Sequence, residues 1–168
     1  ILVQKGYERD VEVTEFSKRL EKCTIYDNIQ IKKGSIEDYR KLSRFHYRTK
    51  SNEEPEGLRA KDCFKLLFNN RLIGVIVYSH SYLNLKPRNM VFGKRYVFTP
   101  GDLHTANLIN EEIARISRVV IHPKFRGIGL GAFLVKETMP KVKAKVIETL
   151  AVMARYNPFA EHAGMRMV

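Results

Sequence analysis

The chain has 168 residues, of which 30 are Lys or Arg and 18 are Asp or Glu, so its formal net charge is +12 at pH 7. A domain has roughly 100 to 200 residues, which leaves no room for two unrelated catalytic domains. The positive charge favours an anionic partner such as a nucleotide cofactor, a nucleic acid or an acidic protein. A basic surface that serves only solubility is an equal alternative.

The sequence also lacks several patterns that would place it in other classes. Its cysteines, Cys23 and Cys63, are not spaced as metal ligands or as a disulfide framework, so we expect no metal. There is no signal-peptide pattern, and no apolar run reaches the roughly 18 residues of a membrane span. We therefore expect a soluble, cytoplasmic protein. Because the chain opens at Ile1 without an initiator Met and stops at Val168, just after a Gly-Met-Arg-Met sequence typical of the start of a strand, we also expect it to be an excerpt of a longer polypeptide.

The N-terminal part of the chain predicts few regular elements. Residues 1–28 show a mixed pattern and are interpreted as an N-terminal extension of unclear role. Alternation over residues 29–31 predicts a short strand. Ser35, with Asp38 three residues later, predicts the start of an amphipathic helix that ends near Arg48.

The middle of the chain predicts a β-hairpin followed by an irregular segment. β-branched and aromatic residues at 63–68 and 72–80 flank Asn69-Asn70, a pair typical of a tight turn. Residues 82–102 contain Pro and Gly among aromatic and basic side chains, so we expect an irregular excursion with a short strand around residues 95–98.

The C-terminal part predicts strands and helices in alternation. Apolar residues at 113–121 predict a central strand covered on both faces, which ends at His122-Pro123. The remaining predicted elements are a helix that ends before Pro140, a strand over residues 145–153 and a short helix between Pro158 and Gly164.

A glycine-rich turn, residues 126–131 with the sequence Arg-Gly-Ile-Gly-Leu-Gly, joins the central strand to the helix. Glycines let the backbone approach a ligand, and a helix N-terminus adds partial positive charge, so a nucleotide pyrophosphate is the expected occupant. No Lys-Ser or Lys-Thr follows, which excludes a Walker A loop. The glycine spacing and the late position in the chain also argue against a dinucleotide-binding fold.

The spacing Arg126-x-x-Gly129-x-Gly131 resembles the cofactor motif of the GNAT acetyltransferases. The resemblance is strongest over residues 113–165 and extends back to Ile29. It implies a three-layer α/β fold over residues 29–168, with a mixed, mostly antiparallel sheet flanked by helices. It implies acetyl-CoA as cofactor and an amine as acceptor. The same stretch also resembles the acetyltransferase domain fused to ABC-type ATPases in archaea, which implies a fused or associated ATPase domain.

The resemblance also implies roles for individual residues. Backbone groups of the central strand would hold the pantetheine arm and the acetyl group: Val119, Val120 and Ile121. The turn and the following helix would hold the pyrophosphate: Arg126, Gly127, Ile128, Gly129, Leu130, Gly131 and Ala132. Asn157 is a further candidate for cofactor binding.

Direct acetyl transfer needs a base that frees the amine and an acid for the departing thiolate. Glu148, early on the strand after the turn, is the first candidate base, although an ordinary strand-edge glutamate would look the same. Reserve candidates are His46, Tyr47, Glu111 and Glu112.

The sequence departs from the family where the acid is expected. Many members have a tyrosine four residues before the glycine that ends the last helix, and here Ala160 takes that place. Met153 replaces a usual asparagine. Tyr156 is the nearest substitute acid, with Asn157 beside it.

Two further functions stay open. The departures from the family favour a non-catalytic module that binds CoA or a macromolecular partner inside a larger ATPase-linked protein. A nucleic acid is the other alternative, because basic and aromatic residues mix in the irregular segment as they do on nucleic-acid surfaces. These residues are Arg88, Phe92, Lys94, Arg95, Tyr96 and Phe98.

Overall fold

The structure, a computed structural model, describes residues 24–46, 59–150 and 158–167. Its strands are β1 (Ile29–Lys33), β2 (Ala60–Phe68), β3 (Arg71–Ser79), β4 (Ile113–Ile121) and β5 (Val146–Thr149). Its α-helices are α1 (Thr24–Asp27), α2 (Ile36–Ser43), α3 (Lys86–Phe92), α4 (Leu103–Glu112), α5 (Leu130–Thr138) and α6 (Phe159–His162). Short 3-10 helices cover Gly93–Tyr96, Pro123–Phe125 and Met139–Lys141.

The described strands form one five-stranded sheet in the order β1-β2-β3-β4-β5. β1 to β4 are antiparallel neighbours, whereas β5 runs parallel to β4. The predicted mixed, mostly antiparallel sheet is therefore confirmed.

The start of α2 is confirmed and its end is corrected. Ser35 is the N-cap, and its hydroxyl and backbone exchange hydrogen bonds with Asp38 in a capping box. The helix ends at Ser43 rather than near Arg48, because Phe45 and His46 bond carbonyls three residues back, as in a turn, rather than four. The last two predicted helical residues, 47 and 48, lie outside the described residues.

The predicted hairpin is also confirmed. β2 and β3 pair antiparallel, and Asn69 and Asn70 have φ angles of 48° and 60°. Two consecutive left-handed residues are the geometry of a two-residue type I′ turn, which asparagine tolerates well.

The irregular segment contains a correction. The strand predicted for residues 95–98 is absent, because the chain there forms a 3-10 helix that turns Tyr96 into a cluster with Ile109 and Ile113. Sequence reasoning also missed α4, whose N-cap Asp102 accepts from the Thr105 N–H at 3.0 Å.

Helices cover both faces of the sheet. Side chains of α5 pack on one face with residues of β3 and β4, including Ile76, Tyr78, Ile116, Leu130, Leu134 and Val135. Side chains of α2 pack on the opposite face, including Tyr39, Leu42, Val75, Val77 and Val120. β4 therefore lies between two apolar layers, as its sequence predicted.

The C-terminal elements are shorter than the sequence predicted. β5 ends at Thr149, and residues 151–157, which include the rest of the strand predicted to reach Met153, lie outside the described residues. The short last helix is confirmed as α6, and Gly164 follows it with a φ of 93°.

A buried pair of hydroxyls ties α5 to the centre of the sheet. The Tyr78 hydroxyl lies 2.8 Å from Thr138 Oγ1, which itself donates to the Leu134 carbonyl at 2.6 Å. Tyr78 is therefore the donor in the first bond. Burial raises the pKa of Tyr78 to about 12, so the hydroxyl stays protonated and able to donate.

Removal of this donor tests the link between α5 and the sheet. We expect Tyr78→Phe to lower the free energy of unfolding by about 0.5 to 1.5 kcal/mol, the net worth of one hydrogen bond. Urea unfolding measures the change. Tyr82→Phe is the matched control, because Tyr82 is 51% exposed and we expect a change of less than about 0.5 kcal/mol. Equal losses in both variants would contradict a structural role for the Tyr78 hydroxyl.

Candidate acyl-CoA site at the glycine turn

Two glycines give the turn between β4 and α5 its shape. Gly127 and Gly129 have φ angles of 83° and 80°, a left-handed conformation that other residues adopt with strain. Left-handed residues that alternate with residues of ordinary conformation, as Gly127 and Gly129 do with Ile128, can direct backbone N–H groups into one concavity. The turn therefore presents main-chain donors, as the sequence predicted.

The N-terminus of α5 adds further donors. Gly129 is the N-cap and has no side chain to bond the first turn, and the first helical bond runs from the Phe133 N–H to the Gly129 carbonyl at 3.0 Å. The N–H groups of Leu130, Gly131 and Ala132 precede that bond, so the helix itself does not satisfy them. A Cβ at Gly131 would meet no atom within 4 Å from outside its own stretch of helix, so there is open space beside this first turn.

Arg126 connects the turn to two other parts of the fold. Its Nε donates to the Ile121 carbonyl at 2.9 Å, and Nη2 donates to the Phe45 carbonyl at 2.6 Å. The side chain is exposed, so its charge remains at the surface beside Gly127. Arg126 thus holds the residues after α2 against the end of β4 in addition to adding positive charge.

β4 and β5 separate close to the turn. Only Ile113 to Ile116 of β4 pair with β5, opposite Val146 to Thr149. From Ser117 to Ile121, the edge of β4 that faces β5 has no paired strand among the described residues. Arg118 donates to the Ser117 carbonyl and Arg126 to the Ile121 carbonyl, and the other backbone groups on that edge face no described strand and can bind a ligand.

One cavity of about 700 Å³ joins the glycine turn to this open edge. It is lined by Phe45, His46, Ile116, Ser117, Arg118, Val119, Val120, Ile121, Phe125, Arg126, Gly127, Gly129, Leu130, Gly131, Ala132, Thr149, Leu150, Phe159 and His162. The sequence-predicted cofactor residues on this list lie together. Ile128 does not line the cavity, and its side chain is 46% exposed.

Three residues named from the sequence cannot be placed. Tyr156, Asn157 and Tyr47 lie outside the described residues. Their roles stay predictions. Ala160, at the position where the resemblance implies a tyrosine, is buried in α6.

Glu148 lies beside the cavity rather than in its lining. Its neighbour Thr149 lines the cavity, and successive residues of a strand point to opposite faces. The carboxylate oxygen Oε1 accepts a hydrogen bond from the Ser81 hydroxyl and lies 3.4 Å from Arg88 Nη1. The other oxygen, Oε2, has no hydrogen-bond partner among the described residues.

Arg88 is the buried partner that fixes Glu148. It is 3% exposed, and its Nη2 donates to the carbonyls of Tyr82 and Leu83 at 2.9 and 2.6 Å. This set of bonds ties the segment after β3 to the edge strand β5. Sequence reasoning missed the pairing, because Arg88 and Glu148 are far apart in the chain.

A bulge in β4 brings two arginines to one face of the sheet. Arg115 pairs with Ser79, Ile116 with Tyr78, and Arg118 with Val77, so Ser117 is an extra residue without an opposite partner. In a regular strand Arg115 and Arg118 would point to opposite faces. The sequence carried a signal for this, since two charges three residues apart interrupt an otherwise apolar strand.

No family model matches the sequence, and no curated protein matches it. Solved structures do match over most of the chain. A GNAT family acetyltransferase from Streptococcus pneumoniae TIGR4 is 16% identical, with 83% of this chain and 88% of that chain covered and a TM-score of 0.52. An acetyltransferase from Bacillus subtilis in complex with CoA is 15% identical, with 84% and 77% covered and a TM-score of 0.51.

An aminoglycoside acetyltransferase from an uncultured soil metagenomic sample, in complex with sisomicin, is also similar. It is 15% identical, with 86% of this chain and 94% of that chain covered and a TM-score of 0.53. The chain has the GNAT-like fold. At these identities the similarity concerns the fold, which is the fold that the glycine-turn motif predicted.

Within this GNAT-like fold, the reserve base Glu112 is an ion-paired structural residue. Its carboxylate accepts hydrogen bonds from Lys145, from the Tyr96 hydroxyl at 2.7 Å and from Arg95 Nη2 at 2.9 Å. The bond from Lys145, followed by those from Tyr96 and Arg95, lowers the pKa of Glu112 to about 2. A carboxylate with so low a pKa is a weak base at neutral pH. Glu111, the other acidic reserve, is exposed and does not line the cavity.

The basic and aromatic cluster proposed for nucleic acid does not form one surface. Arg88 and Tyr96 are buried and bond to Glu148 and Glu112. Arg95 also forms an ion pair with Glu112. The remaining members are Phe92, Lys94 and Phe98. Arg88 and Tyr96 therefore belong to the packing that joins the segment after β3 to α4 and β5, whereas Phe92, Lys94 and Arg95 are exposed.

Among the described residues, no helix has the length and apolar character that crossing a bilayer requires.

The low pKa of Glu112 predicts how stability responds to acid. A carboxylate whose pKa is lowered by folding stabilises the fold above its unfolded pKa, near 4.5, and this contribution is lost as the pH falls toward 2. We therefore expect Glu112→Gln to be less stable than the wild type at pH 7, with the difference shrinking between about pH 4.5 and 2. Urea unfolding at a series of pH values measures it.

Glu111→Gln is the matched control, because this neighbouring carboxylate is exposed and has no side-chain ion pair among the described residues. We expect little change at any pH. A stability difference for Glu112→Gln that stays constant down to pH 3 would contradict the ion-pair interpretation.

Proposed function

We propose that the protein is an acetyl-CoA-dependent N-acetyltransferase that transfers an acetyl group to an amine acceptor by direct attack of the amine. The observation that carries the proposal is the continuity of the cavity. It joins the uncapped N-terminus of α5 to the open edge of β4 in one space of about 700 Å³. The N-terminus of α5 would bind a pyrophosphate, and the open edge of β4 would bind an extended chain with amide groups. Acetyl-CoA contains both.

The residues present fit this cofactor. Gly131 leaves room for a group against the backbone, since a Cβ there would meet no atom within 4 Å from outside its own stretch of helix. Leu130, Gly131 and Ala132 would donate N–H groups to the pyrophosphate, with the glycine turn and Arg126 adding positive charge. Val119, Val120 and Ile121 would bind the pantetheine amides through the open strand edge. Bound acetyl-CoA would supply the acetyl thioester.

Glu148 is the residue that supports proton removal from the acceptor. An amine is protonated at neutral pH and must lose a proton before it attacks a thioester. Glu148 keeps Oε2 without a described partner while Ser81 and Arg88 hold Oε1. The carboxylate would therefore hold the acceptor ammonium and accept its proton, directly or through a water molecule.

The acid for the departing thiolate has two candidate sources. Many GNAT members have a tyrosine as the acid in the last helix, but the residue at that position here is Ala160, which cannot donate a proton. Tyr156 remains the substitute proposed from the sequence, with Asn157 as a cofactor ligand beside it. The ammonium proton that Glu148 removes is the other source. The amine displaces the thiolate from the acetyl carbon, and Glu148 can then give the proton to that thiolate.

The second candidate function is a non-catalytic module that binds CoA. The observation that favours it is that Ser81 and buried Arg88 both contact Glu148 Oε1 while Glu148 does not line the cavity, as expected of a structural carboxylate. Calorimetry with acetyl-CoA, followed by thiol release with a panel of amines, separates the two functions. Binding without amine-dependent thiol release would identify the module. An associated ATPase domain and a cytoplasmic location stay predictions from the sequence.

A matched pair of substitutions at Gly129 tests the cofactor site. Asp and Asn have the same size and both tolerate the left-handed conformation, so only the charge differs. We expect Gly129→Asp to weaken acetyl-CoA binding by more than about 100-fold, because its carboxylate repels the pyrophosphate. Gly129→Asn should weaken it much less. Isothermal titration calorimetry measures both, and equal affinities of the two folded variants would contradict a pyrophosphate at this turn.

Glu148→Gln tests the base. We expect turnover to fall by roughly 10²- to 10⁴-fold, the usual contribution of a general base, while acetyl-CoA affinity is retained. The loss should shrink as the pH rises, because the amine then deprotonates unaided. Thiol release between pH 6 and 9 measures it. Full activity of Glu148→Gln across this range, with an acceptor that the wild type acetylates, would refute the assignment.

A further inference from the structure

The bulge at Ser117 gives one face of β4 two positive charges. Arg115 pairs with Ser79 and Arg118 with Val77, and these two β3 residues share a face because they are two positions apart. Two strand positions correspond to roughly 7 Å. The arginines are therefore close neighbours on the face that also carries Glu148, which pairs with Arg115 across β4 and β5.

Neither arginine has a carboxylate within 4 Å among the described residues, in contrast to Arg88 and Arg95. Arg118 donates from Nε to the Tyr39 hydroxyl at 3.3 Å and from Nη1 to the Ser117 carbonyl at 2.7 Å. Its Nη2 has no described partner, and the side chain lines the cavity. Tyr39 and the strand thus fix the guanidinium through Nε and Nη1, and Nη2 is left for another acceptor.

Arg115 carries an unpaired donor of its own. Its guanidinium lies 4.3 Å from the centre of the Tyr82 ring, and Nη1 donates to the Tyr82 hydroxyl at 3.2 Å. Its Nε is buried and has no hydrogen-bond partner in the part of the chain that the structure describes. A buried N–H of a charged group without an acceptor is costly, and a bound anion would provide the acceptor.

We infer that the acceptor is a small amine that also carries a carboxylate or phosphate group, with the anion bound by Arg115 and Arg118 and the ammonium by Glu148. This inference rests on the proposed acetyltransferase function. It follows from the arrangement of one carboxylate and two guanidinium groups on a single face, which complements a ligand of opposite charges a few bonds apart. Glu148 alone would select amines in general; the arginines select among them.

The cofactor does not account for Arg115. The pyrophosphate turn begins after Ile121, and an extended strand places Arg115 about 20 Å from that residue. Arg118 lies between the two ends, so the variants must include a test of cofactor binding. The buried position of Arg115 Nε beside Glu148 also favours a small ligand over the backbone of a nucleic acid.

Matched acceptor pairs measure the proposed selectivity. The carboxylate arm compares 4-aminobutyrate with 4-aminobutanamide, and the phosphate arm compares O-phosphoethanolamine with ethanolamine, each at equal concentrations of neutral amine. We expect the wild type to prefer the anionic member of at least one pair by about 10- to 100-fold in kcat/KM, the range for charge-assisted hydrogen bonds. The arm with the larger preference identifies the anion.

Substitutions then locate the selectivity. We expect Arg115→Gln and Arg118→Gln each to remove most of the preference, mainly through KM of the anionic acceptor. Arg118→Lys should restore part of it, because it keeps the charge but not the planar fork. Arg71→Gln is the control for overall charge, since Arg71 is exposed at the opposite end of β3, and its preference should equal that of the wild type.

Three outcomes would overturn the inference. In the first, the wild type shows no preference for the anionic acceptor. In the second, Arg118→Gln loses kcat/KM equally for both members of a pair. In the third, Arg118→Gln binds acetyl-CoA more weakly while it keeps the preference for the anionic acceptor. The last result would assign the arginine to the cofactor. Acetylation of RNA or DNA bases without acetylation of small amines would overturn it as well.

A binding measurement separates this inference from the proposed function. N-acetyl-4-aminobutyrate and its amide are titrated into the protein in the presence of CoA, which requires no turnover. Binding of the anionic form alone, lost in Arg115→Gln, would support the anion site even if no amine is acetylated. Acetylation of amines without any anion preference would instead support the enzyme and refute the anion site.

Discussion

The N-terminus of α5 is the feature on which the rest of the site depends. Its N–H groups have no side-chain cap, because the N-cap is Gly129, and the two left-handed glycines before it leave the approach open. A buried helix end without partners would be costly, so this end has to remain accessible to water or a ligand. Arg126 fixes the turn by bonding the carbonyls of Ile121 and Phe45. The protein itself therefore makes few hydrogen bonds to the N–H groups that the proposed cofactor would bind.

The separation of β4 and β5 has a similar consequence on the other side of the cavity. Pairing stops after Ile116 and Thr149, and the bulge at Ser117 comes at the next residue of β4. The bulge rotates the side chains that follow, so that Arg118 joins Arg115 on the face of Glu148. The irregularity in β4 therefore coincides with the end of its pairing with β5, and it sets the charge of the proposed acceptor site.

Local signals in the sequence predicted the parts of the fold that depend on local geometry. Ser35 with Asp38, Asn69 with Asn70, and the glycine turn each have a backbone requirement that only a few residue types meet, and all three form as predicted. The bulge could not be placed, because its position is decided by pairing with β3. Arg88 and Glu148 meet only in the folded chain, which is also why Arg88 was mistaken for a surface residue. The segment around Tyr96 shows the same limit, since its aromatic residues suggested a strand while core packing favoured a 3-10 helix.

Glycine amides offer the most direct test of the central claim that this turn binds CoA. The chain contains 10 glycines, so selective ¹⁵N-glycine labelling gives a spectrum simple enough to follow during a titration with CoA. If CoA binds at this turn, the amide signals of Gly127, Gly129 and Gly131 shift in a saturable way. The signals of Gly74 and Gly101, which do not line the cavity, stay in place. Unchanged signals from the turn at saturating CoA, or shifts confined to glycines elsewhere, would contradict it.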